Sequence, residues 1–167
     1  MRYVVLGFCV FAAACTGKTP IAPTSASVAM GGAAVAQAKG GSELPFRGTL
    51  NATESIDSAN GALHHLVATG NATHLGRFTL TSDFIVTMAT ASGTATWTAA
   101  NGDQIFTTVV GHAVVTFPNA AIVETHTMTG GTGRFGGTSG SITLERSLNL
   151  QTLVSSASIT GTINLGH

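Results

Sequence analysis

Charge is what this chain has least of. Seven Lys and Arg stand against seven Asp and Glu in 167 residues, so charged side chains make up 8%, where about 25% is usual for a soluble domain. A net charge of zero with no basic cluster offers nothing to neutralise phosphates, so no nucleic-acid partner is expected. Cysteine is equally scarce. Cys9 and Cys15 are the only two, both near the start, which excludes a disulfide framework in the body of the chain. Long apolar runs are missing as well: the longest, close to the N-terminus, holds about twelve residues, short of the roughly 20 that a membrane-spanning helix takes. What is present is Thr, Ser, Asn and 21 Gly, a mixture that favours strands and tight turns over helices. The length suits one domain with a sizeable core.

The N-terminal segment reads as a bacterial export signal, residues 1–14. Arg2 supplies a positive start, Tyr3 to Phe11 is apolar throughout, and Ala12-Ala13-Ala14 offers the small residues that a signal peptidase needs. Phe11 to Cys15 resembles a lipobox, with Ala12 in place of the commoner Leu, and Cys15 is the expected lipid-attachment site. Plain cleavage after Ala14, or near Ala36 to Ala38, is the alternative and would give a secreted chain. Residues 15–43 form the expected tether: Thr16 to Ser42 is rich in Ala, Gly, Ser, Thr and Pro and lacks periodicity. Gly17-Lys18-Thr19 matches the end of a P-loop, but Ala12 stands where the first Gly is required, so the match carries no nucleotide site. The expected location is the cell envelope, as an outer-membrane lipoprotein or a periplasmic protein, with the membrane as a partner through the lipid at Cys15.

From Leu44 to the end, residues 44–167, apolar residues recur with period two and Gly, Asn or Asp interrupt them. Ala157, Ile159, Gly161, Ile163 and Leu165 share one face of a strand, and Ser156, Ser158, Thr160, Thr162 and Asn164 the other. Ala95, Trp97 and Ala99 alternate in the same way with Thr94, Thr96 and Thr98, and Phe84, Val86 and Met88 form another such set. Asn101-Gly102-Asp103 reads as a hairpin turn. The pattern predicts strands at about 46–53, 62–72, 75–81, 84–90, 93–100, 103–115, 121–128 and 140–147, with 154–165 as a ninth or closing strand. The fold class is therefore all-β, an antiparallel barrel of about eight strands.

Thr129 to Leu144, T-G-G-T-G-R-F-G-G-T-S-G-S-I-T-L, resembles the glycine-rich turn and strand of the allene oxide cyclase and dirigent-like barrels. The matching positions are Gly130, Gly131, Thr132, Gly133 and Phe135, then Gly137 and Gly140. Leu44-Pro45-Phe46 resembles the opening strand of that group, and Ala157 to Leu165 the closing one. The resemblance implies an eight-stranded calycin-like barrel with a central cavity, a homo-oligomer (trimeric in plant relatives), and chemistry on apolar small molecules without a cofactor. The catalytic residues of that group do not carry over. Arg47-Gly48-Thr49 follows Leu44-Pro45-Phe46 with no matching Asn, and the paired acids of dirigent proteins find no definite counterparts.

Glu124 and His126 stand two apart on one predicted strand, so they share a face and could pair as acid and base. An exposed strand face carries such a pair equally well. His64 and His65 should point to opposite faces, and His64, His65, His74, His112 and His126 lack the spacing of a zinc site, so no metal is expected. Asp57, Asp83 and Asp103 each sit beside a turn signal, where Asp caps its own backbone. Gly76-Arg77-Phe78 and Gly133-Arg134-Phe135 repeat one pattern, with Phe inside and Arg at the rim. Trp97 either lines a cavity or fills it. Phe78, Trp97, Glu124, His126 and Phe135 are thus the candidate cavity or ligand residues.

Binding of an apolar small molecule, or of a partner, is the leading functional expectation, because a cavity is implied and a catalytic constellation is absent. The alternatives are a cyclase or isomerase, which needs Glu54, Glu124 or Glu145 inside the pocket, and a purely structural envelope protein.

Overall fold

The computed structural model describes residues 42–166. The signal segment, Cys15 and all but the last two residues of the tether lie outside the described residues.

Eight strands run up and down in chain order: β1 Leu44–Ile56, β2 Leu63–Ala72, β3 Gly76–Thr87, β4 Thr90–Ala99, β5 Gln104–Thr116, β6 Asn119–Gly131, β7 Ser139–Asn149 and β8 Val154–Asn164. Each pairs antiparallel with the next, and β8 closes on β1 with Leu44 opposite Ile163 and Thr53 opposite Val154. Closure leaves no strand edge unpaired, which matters in a chain with few charges to guard an edge. An eight-stranded barrel is just wide enough for side chains to fill or for one small ligand to enter.

The period-two pattern maps directly onto inside and outside. On β4, Ala95, Trp97 and Ala99 are buried while the intervening Thr residues are more exposed; on β8, Ala157, Ile159 and Ile163 are buried while Ser156, Ser158 and Thr160 are exposed. Thr and Ser recur over the outer surface, with Val67, Ile85, Val110 and Val123 exposed among them. The hairpin at Asn101-Gly102-Asp103 forms as expected, with Gly102 at φ 88°, where a side chain would be strained.

Two expectations change. The segments 75–81 and 84–90 are not separate strands, because β3 runs unbroken through Ser82 and Asp83. Ser82 faces inward and its hydroxyl donates to the Thr94 carbonyl at 2.9 Å. Asp83 faces outward and its Oδ1 lies 2.6 Å from His65 Nδ1. Asp83 is therefore a cross-strand partner and caps no turn, and the turn falls at Met88 and Ala89. Asp57 does behave as expected, accepting from the Ala59 and Asn60 amides at 2.8 and 2.7 Å.

The two ends of the barrel differ. The end where β1, β3, β5 and β7 begin is packed solid by Phe46, Phe78, Trp97, Ile105, Phe135 and Ile163. A single 3-10 turn, Gly133–Phe135, lays Phe135 in as a plug, and the Arg134 guanidinium sits outside over its ring at 4.8 Å from the centroid. Tight approach is enforced here. A Cβ on Gly70 would run into the Phe78 ring and the Thr49 carbonyl. The opposite end carries only a small apolar cluster of Ala120, Ile122 and Leu148, with Ala113 and Leu150 against it, and that end is open.

Candidate functional site

At one level of the barrel, four strands break their own apolar inner face with a polar side chain. Glu54 follows Leu50 and Ala52 on β1, and His64 precedes Leu66 and Ala68 on β2. Glu124 follows Ala120 and Ile122 on β6, and Arg146 lies between Leu144 and Leu148 on β7. Glu54, Glu124 and Arg146 are each only 4–5% exposed. Three of the few charges in this chain are thus inside it.

Arg146 organises the group. Its Nη1 donates to Glu54 Oε2 at 2.7 Å and to Ser155 Oγ at 3.3 Å, and its Nη2 donates to Glu124 Oε1 at 2.8 Å. Glu54 Oε1 lies 2.5 Å from His64 Nδ1. Such charge-assisted contacts are short and strong. Burial on its own would push the Glu124 carboxyl up. The neighbouring His126 ring and the Arg146 guanidinium outweigh burial and hold the carboxyl below its ordinary value of 4.5, so Glu124 is ionised at neutral pH.

Beneath the charged level, His126 is fully buried, with Nδ1 3.1 Å from Thr107 Oγ1 and Nε2 3.8 Å from Glu124 Oε2. That second distance is too long for a hydrogen bond, and His126 Nε2 and Arg146 Nε have no hydrogen-bond partner among the described residues. The Thr107 hydroxyl donates to the Ala95 carbonyl at 3.4 Å. Trp97 donates its Nε1–H to the same hydroxyl at 3.4 Å. A void of about 10 Å³, bounded by Leu50, Leu80, Glu124, His126 and Arg146, separates this layer from the charged one.

Above the charged level lies the cavity, of about 170 Å³. Its floor is Glu54, His64, Glu124 and Arg146, its wall includes Phe84, Val86, Ala91, Ile122 and Leu150, and Met88 to Thr90 and Val115 form the rim. The wall is apolar and the floor is charged.

The sequence candidates divide accordingly. Glu124 reaches the cavity floor. His126 shares its face, as the spacing requires, but lies one layer below in the interior; the exposed strand face that the spacing also fits is ruled out for both residues. Phe78, Trp97 and Phe135 do not line the cavity, because they fill the closed end, and Trp97 is 1% exposed. Of the three glutamates, Glu54 and Glu124 are inside and Glu145 is on the outer face. His64 and His65 point to opposite faces, His64 to the floor and His65 to Asp83 outside. Among the described residues, no three His, Cys, Asp or Glu side chains are grouped as a metal set.

Arg146 and His64 are the residues that spacing did not single out. Their signal was present. An Arg between two Leu at period two is a charge on an apolar face, and such a residue is either paired or functional. Comparison of the chain with protein-family models, with curated proteins and with solved structures found no match.

Proposed function

We propose that this chain is an exported, lipid-anchored barrel that binds an apolar small molecule in its open end. The observation that carries this reading is the apolar-walled cavity of about 170 Å³ standing over a buried Glu54–Arg146–Glu124 group. Three buried charges are a poor choice for stability alone, since replacing such a group by well-packed apolar residues is often neutral or stabilising by about 1–4 kcal/mol. Their place at the base of a cavity, rather than in the solid half, gives them a ligand to meet. Export rests on the leader and Cys15, and the resemblance to allene oxide cyclase and dirigent-like barrels supports an apolar ligand.

The cyclase reading gains from finding Glu54 and Glu124 inside the barrel, where that chemistry needs an acid. It ranks second because both carboxylates are tied to Arg146 and Glu124 is ionised. An ionised carboxylate accepts protons and cannot donate one. Opening of a phenyl-substituted epoxide faster than in buffer, and lost in Glu124→Gln, would reverse the order.

Titration of isotope-labelled protein with 2-phenylethanol tests the binding reading. Saturable shifts confined to cavity residues such as Ala91, Gly111 and Leu150, abolished in a cavity-filling Ala91→Phe variant of unchanged fold, are expected. Shifts scattered over the outer surface would defeat it. Mass spectrometry of the mature N-terminus tests the anchor: a diacylated Cys15 is expected, and an unmodified chain beginning at Lys39 would make the protein simply secreted.

A further inference from the structure

We infer that the cavity selects a small amphiphile with a cationic, hydrogen-bond-donating head, such as an alkyl- or arylammonium, over one with a carboxylate head. The inference rests on the binding reading above and adds the class of ligand.

An arginine at the base of an apolar pocket ordinarily invites an anion. Here the guanidinium is already occupied. Nη1 is held by Glu54 and Ser155, and Nη2 by Glu124; the remaining Nε is buried and has no hydrogen-bond partner among the described residues. An anionic head descending to the floor would meet two carboxylates whose only fixed counter-charge is this one guanidinium.

One carboxylate oxygen is also left without a hydrogen bond among the described residues. Of the four carboxylate oxygens, Glu54 Oε1 faces His64, while Glu54 Oε2 and Glu124 Oε1 take Arg146. Glu124 Oε2 accepts no hydrogen bond among the described residues, with His126 Nε2 3.8 Å away. Glu124 lines the cavity and is 4% exposed, so the carboxylate that carries this oxygen stands at the base of an apolar well. A donor carrying positive charge supplies the missing bond and balances the second of two carboxylates that share one guanidinium as the ligand expels water, where an uncompensated buried charge is costly.

Size and wall chemistry fix the rest of the molecule. An apolar cavity of about 150 Å³ is known to hold one benzene ring, and this one measures about 170 Å³. The Phe84, Val86, Ala91 and Ile122 wall suits one ring or a short alkyl chain, with anything longer passing out through the rim at Met88 and Val115.

The test uses three probes that share a phenylethyl body: phenethylamine, 2-phenylethanol and 3-phenylpropionate. Calorimetric titrations into the native protein are run at pH 8, where the alkylammonium is charged and the carboxylate ionised. The expected result is an amine that binds at least about tenfold more tightly than the acid, with the alcohol between them. Glu124→Gln should reduce the preference of amine over alcohol about tenfold, and the native-protein series stands alone if that variant does not fold. Equal binding of all three, or preference for the acid, overturns the cationic head and leaves the binding reading intact. Absence of binding by all three overturns both.

Discussion

Arg146 on β7 and Glu54 on β1 meet across the interior of the barrel, Nη1 to Oε2 at 2.7 Å, although 92 residues separate them in the chain. β8 lies between their strands in the sheet, so this bond and the second one to Glu124 tie three strands together through the inside as well as through the backbone ladder. Removing Arg146 strands two buried carboxylates.

Arg146→Met should therefore cost about 3–5 kcal/mol, the usual penalty for breaking a buried ion pair from one side, measured by denaturant unfolding at neutral pH. Adding Glu54→Gln and Glu124→Gln to that variant should recover most of the loss, because no net charge then remains buried. A single variant that loses less than about 1 kcal/mol would show that water reaches the group freely.

Acid sensitivity follows from Glu124. Its folded value lies below the ordinary 4.5, so the stability it contributes is complete above that ordinary range and is lost as pH falls through the folded value. Glu124→Gln has no such group to titrate. The difference in unfolding free energy between native protein and variant should be constant from neutral pH down to about 5 and shrink below that. A difference that grows on acidification would contradict the depressed carboxyl.

Thr107 is the hinge of the buried polar chain in the closed half, taking the Trp97 indole N–H and facing His126 Nδ1. Thr107→Val keeps the shape and removes the hydroxyl, leaving two buried polar groups without a partner at roughly 1–3 kcal/mol each. The indole N–H resonance of Trp97, the only tryptophan in the chain, should move with the loss of stability. An unchanged resonance would mean the 3.4 Å contact is not a hydrogen bond in solution.

Phe135 separates packing from binding. Phe135→Ala removes the plug from the closed end and should cost about 3–5 kcal/mol. Affinity for 2-phenylethanol should stay within about twofold of the native protein, as expected if ligand enters only from the other end. A large loss of affinity without unfolding would place the ligand deeper than the charged floor.

Much of this architecture was legible in the chain, because an interior lined by every second residue writes itself as alternation. β8 emerges almost residue for residue, the inward faces of β4 emerge from Ala95 to Ala99, and Phe135 emerges as an inward ring. β3 was misjudged at Ser82-Asp83, where two turn-prone residues sit in a strand because each finds a partner on its own face: the Thr94 carbonyl inside and His65 outside. The charged floor was half legible. Glu124 and His126 share a strand, so spacing joins them. Glu54, His64 and Arg146 come from three other strands, and only the barrel register brings them to one height. The aromatic candidates failed for a simpler reason, since a large ring satisfies core and cavity patterns equally until the end that closes is known.

The strand order also decides at which end the chain enters the barrel. Leu44 begins β1 at the plugged end, beside Ile163 of β8, so the chain both enters and leaves the barrel there. A strand of 13 residues, at the usual rise and tilt, puts the mouth roughly 30 Å away along the axis. The mouth therefore opens at the end opposite to the one where the chain enters, and a molecule that reaches it meets the rim at Met88 and Val115 first.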